Sequence, residues 1–332
     1  MTNRDKRIRL IERAMNKLAP LEACCTLCPR DCRVDRTQRE KGVCQTGNQA
    51  SVSHALLHFG EEPVLSGTHR FESVGHRGGR AGSGAVFFSG CNLKCLFCQN
   101  YQLSWLHEGE PVTDMELAEM MLRLQGQGAL NINFVSPSHV VLPILRALKI
   151  AYGQGLEIPL VWNSNGYDGL EVIQSLDGII DIYLPDLKYR SPALSKKYSG
   201  AADYFEHASA ALREMSVQQP VLEMGPDGAA RHGLIVRHLV LPGMVDDSLA
   251  VLDWLRATIS PYIGLSLMSQ FRPCYKAPAE LRRSLPSTEY RLASDRAAGF
   301  VHAHLFLQPE PFARDEHLVP DFRKREPFVW NK

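Results

Sequence analysis

The stretch GSGAVFFSGCNLKCLFCQNYQLS, residues 82–104, combines a short apolar run with three closely spaced cysteines. The apolar run predicts a buried strand, because it is rich in β-branched and aromatic residues and is bounded by glycines. Cys91, Cys95 and Cys98 follow it at once, with the spacing C-x3-C-x2-C. The sequence therefore predicts a group of thiols at the carboxyl end of a buried strand, where α/β barrels carry their active sites.

Apolar runs and helical segments alternate after this strand. Five more short runs predict buried strands: LNINFVS, PLVWNSNG, GIIDIYLPDLKY, LIVRHLVLPG and IGLSLMSQ. Helical spacing predicts helices over residues 115–127, 139–153, 170–176, 194–215 and 247–259. This alternation predicts right-handed crossovers and a parallel sheet that is covered on both faces. Six such units indicate an α/β fold with a barrel or an open partial barrel, and a doubly wound open sheet is the competing architecture.

The composition is typical of a soluble globular protein, since 45% of the 332 residues are hydrophobic and 22% are charged. No apolar run approaches the ~20 residues that span a bilayer. The basic N-terminus lacks the apolar core of a secretory signal and predicts an amphipathic helix instead. We therefore expect a cytoplasmic protein without a membrane partner. The net charge of +1 gives no indication of nucleic-acid binding.

Nine cysteines are many for a cytoplasmic chain, where clustered cysteines more often bind metal than form disulfides. Cys25, Cys28, Cys32 and Cys44 have the spacing C-x2-C-x3-C-x11-C in a loop-rich segment. Four thiolates satisfy a structural zinc site or an additional iron–sulfur cluster, and unmetallated thiols are the alternative. Cys24 is the spare thiol and could replace Cys25.

These patterns divide the chain into three parts. Residues 1–60 are expected to form an N-terminal helix and a small cysteine-rich metal-binding module, which has too few apolar residues for a core of its own. Residues 61–308 are expected to form the α/β domain. Residues 309–332, rich in proline, phenylalanine and charge, are expected to be a tail packed on the surface.

The three thiolates of Cys91, Cys95 and Cys98 can bind three irons of a four-iron (4Fe-4S) cluster, which leaves the fourth iron without a protein ligand. Such an iron is open to a further molecule. A zinc site is the first alternative, but it would need a fourth ligand and usually has paired C-x2-C spacings. Buried free thiols are the second.

This motif is the signature of the radical S-adenosylmethionine (SAM) superfamily, which the sequence resembles. The resemblance covers nearly the whole chain and points to the pyruvate formate-lyase activating enzyme-like family often called PflX, through the segments HFGEEPVLSG, GSGAVFFSGCNLKCLFCQNYQLS, NINFVSPSH, PDLKY, VRHLVLPG and LSLMSQ. It implies a partial (β/α)6 barrel with a 4Fe-4S cluster and SAM as cofactors. The implied chemistry is reductive cleavage of SAM to methionine and a 5'-deoxyadenosyl radical, which abstracts a hydrogen atom from a substrate.

The resemblance also implies SAM contacts around the cysteine motif. Phe97 matches an aromatic residue that lies near the adenine, with plain core packing as the alternative. Activating enzymes usually carry a glycine-glycine-glutamate motif after the second strand, whereas this chain has VSPSH there. Ser136 and Ser138, or backbone carbonyls, could replace that motif. Asn163 stands where those enzymes have an aspartate, so one negative ligand is lost.

Three later segments carry further candidates for SAM binding. Asp186 and Lys188 are two apart on a predicted strand and should point to the same face, where the ammonium suits the SAM carboxylate. A surface salt bridge is the alternative for this pair. Arg237 is a second candidate for the carboxylate, because guanidinium binds carboxylates in bidentate fashion. Gln270 lies where activating enzymes have a SAM-contacting residue.

The resemblance predicts a radical enzyme that acts on a partner protein, by analogy with activating enzymes that take a hydrogen atom from a glycyl residue. It also implies an electron donor such as flavodoxin or ferredoxin. Radical modification of a peptide, a nucleic acid or a small metabolite is a second hypothesis. A non-catalytic iron–sulfur or zinc protein that senses redox state or carries electrons is a third. No catalytic side chain is assigned beyond the cluster ligands.

Overall fold

The computed structural model describes residues 2–67, 82–299, 304–308 and 319–328. In these ranges the strands are β1 (Ala50–His58), β2 (Ser83–Phe88), β3 (Glu110–Val112), β4 (Ile132–Val135), β5 (Leu160–Asn163), β6 (Ile182–Tyr183), β7 (Glu223–Met224), β8 (Ala230–Leu239), β9 (Gly264–Met268) and β10 (His304–Leu307). They join one sheet in the order β10-β9-β8-β6-β5-β4-β2-β1-β3, and β7 pairs with β8.

The helices of the same ranges are α1 (Asn3–Leu18), α2 (Pro20–Ala23), α3 (Pro63–Ser66), α4 (Tyr101–Ser104), α5 (Asp114–Gly126), α6 (Val141–Gly153), α7 (Leu170–Ser175), α8 (Pro192–Ser199), α9 (Tyr204–Gln218), α10 (Val245–Thr258) and α11 (Ser287–Ala298). Short 3-10 helices cover Arg36–Gln38, Ser138–Val140 and Ala279–Leu281.

The centre of the sheet is parallel, and its strands follow the order of the chain. Neighbours from β2 through β4, β5, β6, β8 and β9 to β10 are all parallel, whereas β1 pairs antiparallel with both β2 and β3. A doubly wound sheet would reverse its strand order near the middle. No such reversal occurs among the described strands, so successive right-handed crossovers bring their helices to one face. The fold is α/β with a largely parallel sheet.

All six strands predicted from apolar runs are present, as β2, β4, β5, β6, β8 and β9. The helix predicted over residues 194–215 is two helices, α8 and α9. Gly200 separates them because it adopts a left-handed conformation, with φ +59°, that ends α8. Sequence analysis did not predict β1, β10 or α11.

The two faces of the sheet pack against different parts of the chain. On β5, Leu160 and Trp162 belong to the main hydrophobic core, whereas Val161 belongs to a second, smaller core. On β8, Val236 belongs to the main core and Ile235 to the smaller one. Because successive side chains of a strand point to opposite faces, the smaller core lies on the face away from the main core.

The short helix α3 covers part of that second face. Its residues Val64 and Leu65 pack with Val161 of β5, Ile182 of β6 and Ile235 of β8. A four-residue helix thus shares one small core with residues of three neighbouring strands. The segment that carries α3 comes directly after β1, so the chain crosses from the sheet edge onto this face.

The parts outside the α/β domain are packed against it. Arg7 of α1 forms an ion pair with Asp181, 2.5 Å from Nη2 to Oδ1, just before β6. In the C-terminal tail, Phe322 and Phe328 are buried and form an aromatic cluster with Phe87 of β2. The rest of the predicted tail, residues 309–318 and 329–332, lies outside the described residues.

None of the described helices has both the length and the apolar character needed to cross a membrane.

Candidate functional site

A cavity of about 550 Å³ opens at the carboxyl end of the parallel strands. Cys91, Cys95 and Cys98 all line it, from the loop that follows β2. Side chains at the ends of β4, β5, β8 and β9 line its other walls, with residues of the β1–α3 segment and of the tail. The structure therefore brings the three motif cysteines to one cavity, on the edge of the sheet predicted from the sequence.

The cysteine loop is held by specific hydrogen bonds to its sulfurs. The Cys91 Sγ accepts from the Leu93 backbone N–H and from Asn165 Nδ2, both at 3.4 Å. The Cys95 Sγ accepts from the Ser199 hydroxyl at 3.1 Å. Such donors stabilise a thiolate and tune the potential of an iron–sulfur cluster.

Gly90 sets the turn by which the chain leaves β2 and enters the cysteine loop. Its φ of +88° lies in the left-handed region that favours glycine. A Cβ at this position would lie 2.7 Å from the Cys44 carbonyl oxygen and 3.0 Å from His139 Nε2. The turn therefore requires glycine both for its backbone conformation and for the close approach of the N-terminal segment.

Burial raises the pKa of the Cys95 and Cys98 thiols, and that of Cys98 reaches about 12. Lys188 lowers the pKa of both thiols, but less than burial raises it. The two groups are therefore protonated at neutral pH unless a cation compensates their charge. Iron or another metal supplies that charge, and its binding releases the protons.

Within the described ranges, no group of three or more His, Cys, Asp or Glu side chains is arranged to hold a metal ion. A single zinc ion requires its ligand atoms to converge at about 2.0–2.3 Å from one point. A cubane cluster binds each thiolate to a different iron, so its sulfurs surround the cluster and do not converge on one ion. Three cysteines around one cavity are compatible with such a cluster.

Phe97 lies beside the motif cysteines on the cavity wall. It is buried and packs edge-on against Phe271, with ring centroids 5.8 Å apart, and against Tyr198 at 6.3 Å. These contacts fix the ring, and the cavity lining includes part of it. The position serves core packing and leaves the ring in reach of a ligand in the cavity.

Asp186 and Lys188 both line the cavity and pair with each other, 2.5 Å from Oδ2 to Nζ. Their side chains are only 21% and 17% exposed, so this is not a surface salt bridge. The carboxylate raises the pKa of Lys188, which keeps the ammonium charged despite its burial. Both residues lie beyond β6, which ends at Tyr183, so their proximity comes from this ion pair and not from a shared strand face.

Arg237 lines the cavity but is already surrounded by anions. Its Nη2 lies 3.3 Å from Glu61 Oε2 and its Nε lies 3.2 Å from Glu62 Oε1. Its Nη1 donates to Asn163 Oδ1 at 3.3 Å. Asn163 thus positions the guanidinium, and two glutamates lie in ion-pair contact where the sequence suggested a ligand carboxylate.

Ser136 and Ser138 are placed differently. Ser136 lines the cavity with a φ of +59°, uncommon outside glycine, and its N–H donates to the Asn163 carbonyl at 2.9 Å. Ser138 is buried, is not part of the cavity lining, and donates to Asp168 Oδ1 at 2.6 Å. Only one of the two serines is therefore in reach of a ligand in this cavity.

Gln270 follows β9 on the opposite wall of the cavity. Its side-chain oxygen accepts from Gln308 Nε2 at 3.1 Å, and its backbone carbonyl accepts from Gln99 Nε2 at 3.0 Å. These bonds orient the amide group at the cavity surface.

Sequence analysis assigned no role to Glu61, His58, Asn165, Ser199 or Phe328, although each lines the cavity or bonds to a motif sulfur. The consecutive acids in HFGEEP, beside several glycines, were the one local signal that could have indicated Glu61. The others come to the site through distant parts of the chain.

The four N-terminal cysteines line a second, small cavity together with Arg30 and Arg36. Burial raises the pKa of Cys28 to about 12 and also raises that of Cys44. Cys24, the predicted spare thiol, is exposed and does not line this cavity.

Arg30 links this segment to the motif loop. Its guanidinium donates to the backbone carbonyls of Asn92 at 2.7 Å and Leu93 at 2.9 Å. It also donates to those of Ser199 at 2.8 Å and Gly200 at 2.6 Å, at the end of α8. The N-terminal cysteines and the motif loop are therefore directly connected.

Comparison with known proteins gives two informative similarities, and no family model matches the chain. An uncharacterized protein of Methanocaldococcus jannaschii is 28% identical over 285 residues, which cover 82% of this chain and 74% of that protein. The pyruvate formate-lyase-activating enzyme of Clostridium pasteurianum is 27% identical over 131 residues, which cover 38% of this chain and 54% of that enzyme. Over part of its length, the chain is thus similar to an activating enzyme.

Proposed function

We propose that this chain is a radical SAM enzyme. The observation that carries the proposal is the position of Cys91, Cys95 and Cys98, which follow the first strand of the parallel sheet and line one cavity. The partial similarity to an activating enzyme supports it. When bound, the cluster and SAM would supply reductive cleavage of SAM and a 5'-deoxyadenosyl radical that takes a hydrogen atom from the substrate.

The residues of the cavity fit such a pair of cofactors. Three thiols bind three irons, and the cavity volume of about 550 Å³ lies within the 300–1,000 Å³ typical of small-molecule sites. Phe97 excludes water beside the cysteines, and Lys188 offers a positive charge to a ligand carboxylate. Asn165 and Ser199 donate to the cysteine sulfurs and so stabilise their thiolate form.

We further propose that the sheet curves into a partial (β/α)6 barrel. The sequential order of the parallel strands supports this architecture, because it brings the helices to the outer face. The small core that α3 shares with β5, β6 and β8 supports it as well, since a concave inner face brings three strands toward one short helix.

The N-terminal cysteines, Cys25, Cys28, Cys32 and Cys44, are proposed to bind zinc or a second iron–sulfur cluster in a small metal-binding module. Arg30 and Arg36 support this proposal, because two guanidinium groups beside four thiols compensate the charge of an anionic metal–thiolate centre. Closed coordination by four sulfurs leaves no position for a substrate.

By analogy with the similar activating enzyme, the proposed substrate is a glycyl residue of a partner protein. The proposed electron donor is a flavodoxin or a ferredoxin, and the proposed location is the cytoplasm. These three points rest on the resemblance alone.

The test is SAM cleavage by protein reconstituted with iron and sulfide under anaerobic conditions. With a reductant, the wild type should convert SAM to 5'-deoxyadenosine and methionine, and Cys95→Ala should abolish the conversion. Cys24→Ala is the matched control, because this exposed thiol belongs to neither cysteine set. Full turnover by Cys95→Ala, or no turnover by the wild type, would contradict the proposal. Iron and zinc analysis of the same samples identifies the N-terminal metal, since about eight irons indicate two clusters.

A further inference from the structure

Part of the cavity wall is aromatic. His58 contacts Phe328 with ring centroids 4.5 Å apart, and Phe87 contacts Phe328 at 5.5 Å. Glu61 lies beside them, 3.5 Å from His58 Nδ1. All four residues line the same cavity as the motif cysteines. We call His58, Glu61, Phe87 and Phe328 the aromatic wall.

Glu61 is a buried carboxylate whose hydrogen bonds are incomplete. Its side chain is 5% exposed, and its Oε1 accepts from Asn133 Nδ2 at 3.0 Å. Its Oε2 is buried, makes no hydrogen bond in the described part of the chain, and has only the ion-pair contact with Arg237 at 3.3 Å. One oxygen of the carboxylate can therefore accept a further donor.

Among the described residues, the ion pairs around Glu61 do not balance. Glu61 and Glu62 share the guanidinium of Arg237, so ionisation of both carboxyl groups leaves one negative charge in excess within these ranges. Lys188 is paired with Asp186 and does not compensate it. Burial lowers the pKa of His58 to about 3, so this ring is neutral at physiological pH. A buried negative charge in excess is unfavourable until a proton or a cation arrives.

The two glutamates differ in access to the cavity. Burial raises the pKa of Glu62, which favours proton uptake by that group when the cavity is empty. Glu62 is not part of the cavity lining, whereas Glu61 is. The cavity wall therefore includes Glu61 and not Glu62.

We propose that the aromatic wall binds an organic cation, a primary ammonium or a guanidinium on an apolar chain, through Glu61. Phe87 and Phe328 offer ring surfaces to the apolar chain and to the cation. If the chain is a radical enzyme as proposed above, this cation is the recognition group of its substrate. The group belongs either to a free amine or to a Lys or Arg side chain of a protein.

The first test compares n-hexylamine with n-hexanol, a neutral compound of similar shape. Binding of each to the anaerobically reconstituted protein is measured by equilibrium dialysis at pH 7. The wild type should prefer the amine by about tenfold or more, as expected when a buried charge gains a partner. Equal binding of amine and alcohol by the wild type would overturn the proposal, and this comparison needs no variant.

Two matched variants identify the carboxylate. Glu61→Gln and Glu62→Gln remove the same charge beside the same guanidinium, but only Glu61 lines the cavity. The preference for the amine should fall below about threefold in Glu61→Gln and weaken less in Glu62→Gln, which removes a neighbouring charge but keeps the carboxylate that lines the cavity. An unchanged preference in folded Glu61→Gln, judged by its circular dichroism, would overturn the assignment.

A third arm distinguishes the source of the cation. A decapeptide with a central lysine is compared with the same peptide acetylated at that lysine. Selective binding of the unmodified peptide supports a protein side chain, whereas binding of hexylamine alone supports a small amine. SAM cleavage is measured on the same samples. Amine selectivity without SAM cleavage refutes the proposed radical SAM function and supports the cation site. SAM cleavage without amine selectivity supports the proposed function and refutes the cation site.

Discussion

Arg30→Ala should destabilise the protein and open the motif loop, because one guanidinium holds two parts of the chain. Arg30 donates four hydrogen bonds of 2.6–2.9 Å to backbone carbonyls of the motif loop and of the end of α8. Hydrogen bonds from a charged group contribute about 1.5–3 kcal/mol each. The four share one partly exposed group and are not additive, so we expect a total loss of about 3 kcal/mol.

Differential scanning calorimetry of the metal-free, reduced protein measures this loss. At about 2 °C per kcal/mol for a chain of this size, Tm should fall by about 6 °C. Arg33→Ala is the matched control, because the side chain of Arg33 is 67% exposed and contacts Asp31, two residues away, and the exposed Cys24. An exposed pair of this kind contributes under about 1 kcal/mol.

A second measurement tests the location of the effect. Two of the four bonds go to the motif loop, so about half of the expected loss, about 1.5 kcal/mol, should act on the opening of this loop. That free energy corresponds to about a tenfold larger population of the open loop. Alkylation of Cys91 and Cys95 by iodoacetamide, followed by mass spectrometry, should therefore be about tenfold faster in Arg30→Ala. If Arg30→Ala and Arg33→Ala share one Tm and one alkylation rate, the proposed link between the two cysteine regions is wrong.

Three further predictions concern the surroundings of the motif. Ser199→Ala removes a donor to the Cys95 sulfur, so the midpoint potential of the reconstituted cluster should fall by about 40 mV, the equivalent of about 1 kcal/mol, in a titration followed by electron paramagnetic resonance. Gly90→Ala should lower the free energy of unfolding in urea by about 2 kcal/mol or more, because φ is +88° and a backbone oxygen lies 2.7 Å from the new Cβ. Gly126→Ala, in helix α5 with no atom within 4 Å of the new Cβ, should raise this free energy by about 0.5–1 kcal/mol. Equal effects of the two substitutions would refute the steric argument. Burial lowers the pKa of His139 to about 4, so the unfolded chain binds more protons than the folded one between about pH 6.5 and 4. Stability therefore falls as the pH falls through this range. His139→Gln should lessen the slope of unfolding free energy against pH by up to about 1.4 kcal/mol per pH unit, and an unchanged slope would contradict the prediction.

The parallel strands could be predicted from the sequence because their apolar runs are local signals. Strand β1 was missed because its sequence, ASVSHALLH, mixes polar and apolar residues near the sheet edge, where one face is only partly buried. The short helix α3 was interpreted as part of a loop, since four residues carry no periodic signal. Its structure depends on contacts with strands that are distant in sequence.

The site was predictable to the same extent. The cysteine spacing is local, and it was sufficient to indicate which thiols line the cavity. Arg237 is the contrasting case, because its chemistry suggested a ligand carboxylate while the fold gave it Glu61 and Glu62, more than 170 residues earlier in the chain. Charge compensation between such distant segments leaves no pattern in a single sequence.

A weaker signal for the site lies in the alternation along the strands. Phe134, Trp162 and Val236 belong to the main hydrophobic core. The alternate positions carry Asn133, Asn163 and Arg237, which point to the opposite face of the same strands. Buried polar side chains on a parallel strand are unfavourable unless they find partners, so they occur where a fold needs polar contacts. Single polar residues among the apolar residues of that face, near the carboxyl ends of the strands, therefore indicate which face of this sheet carries its site.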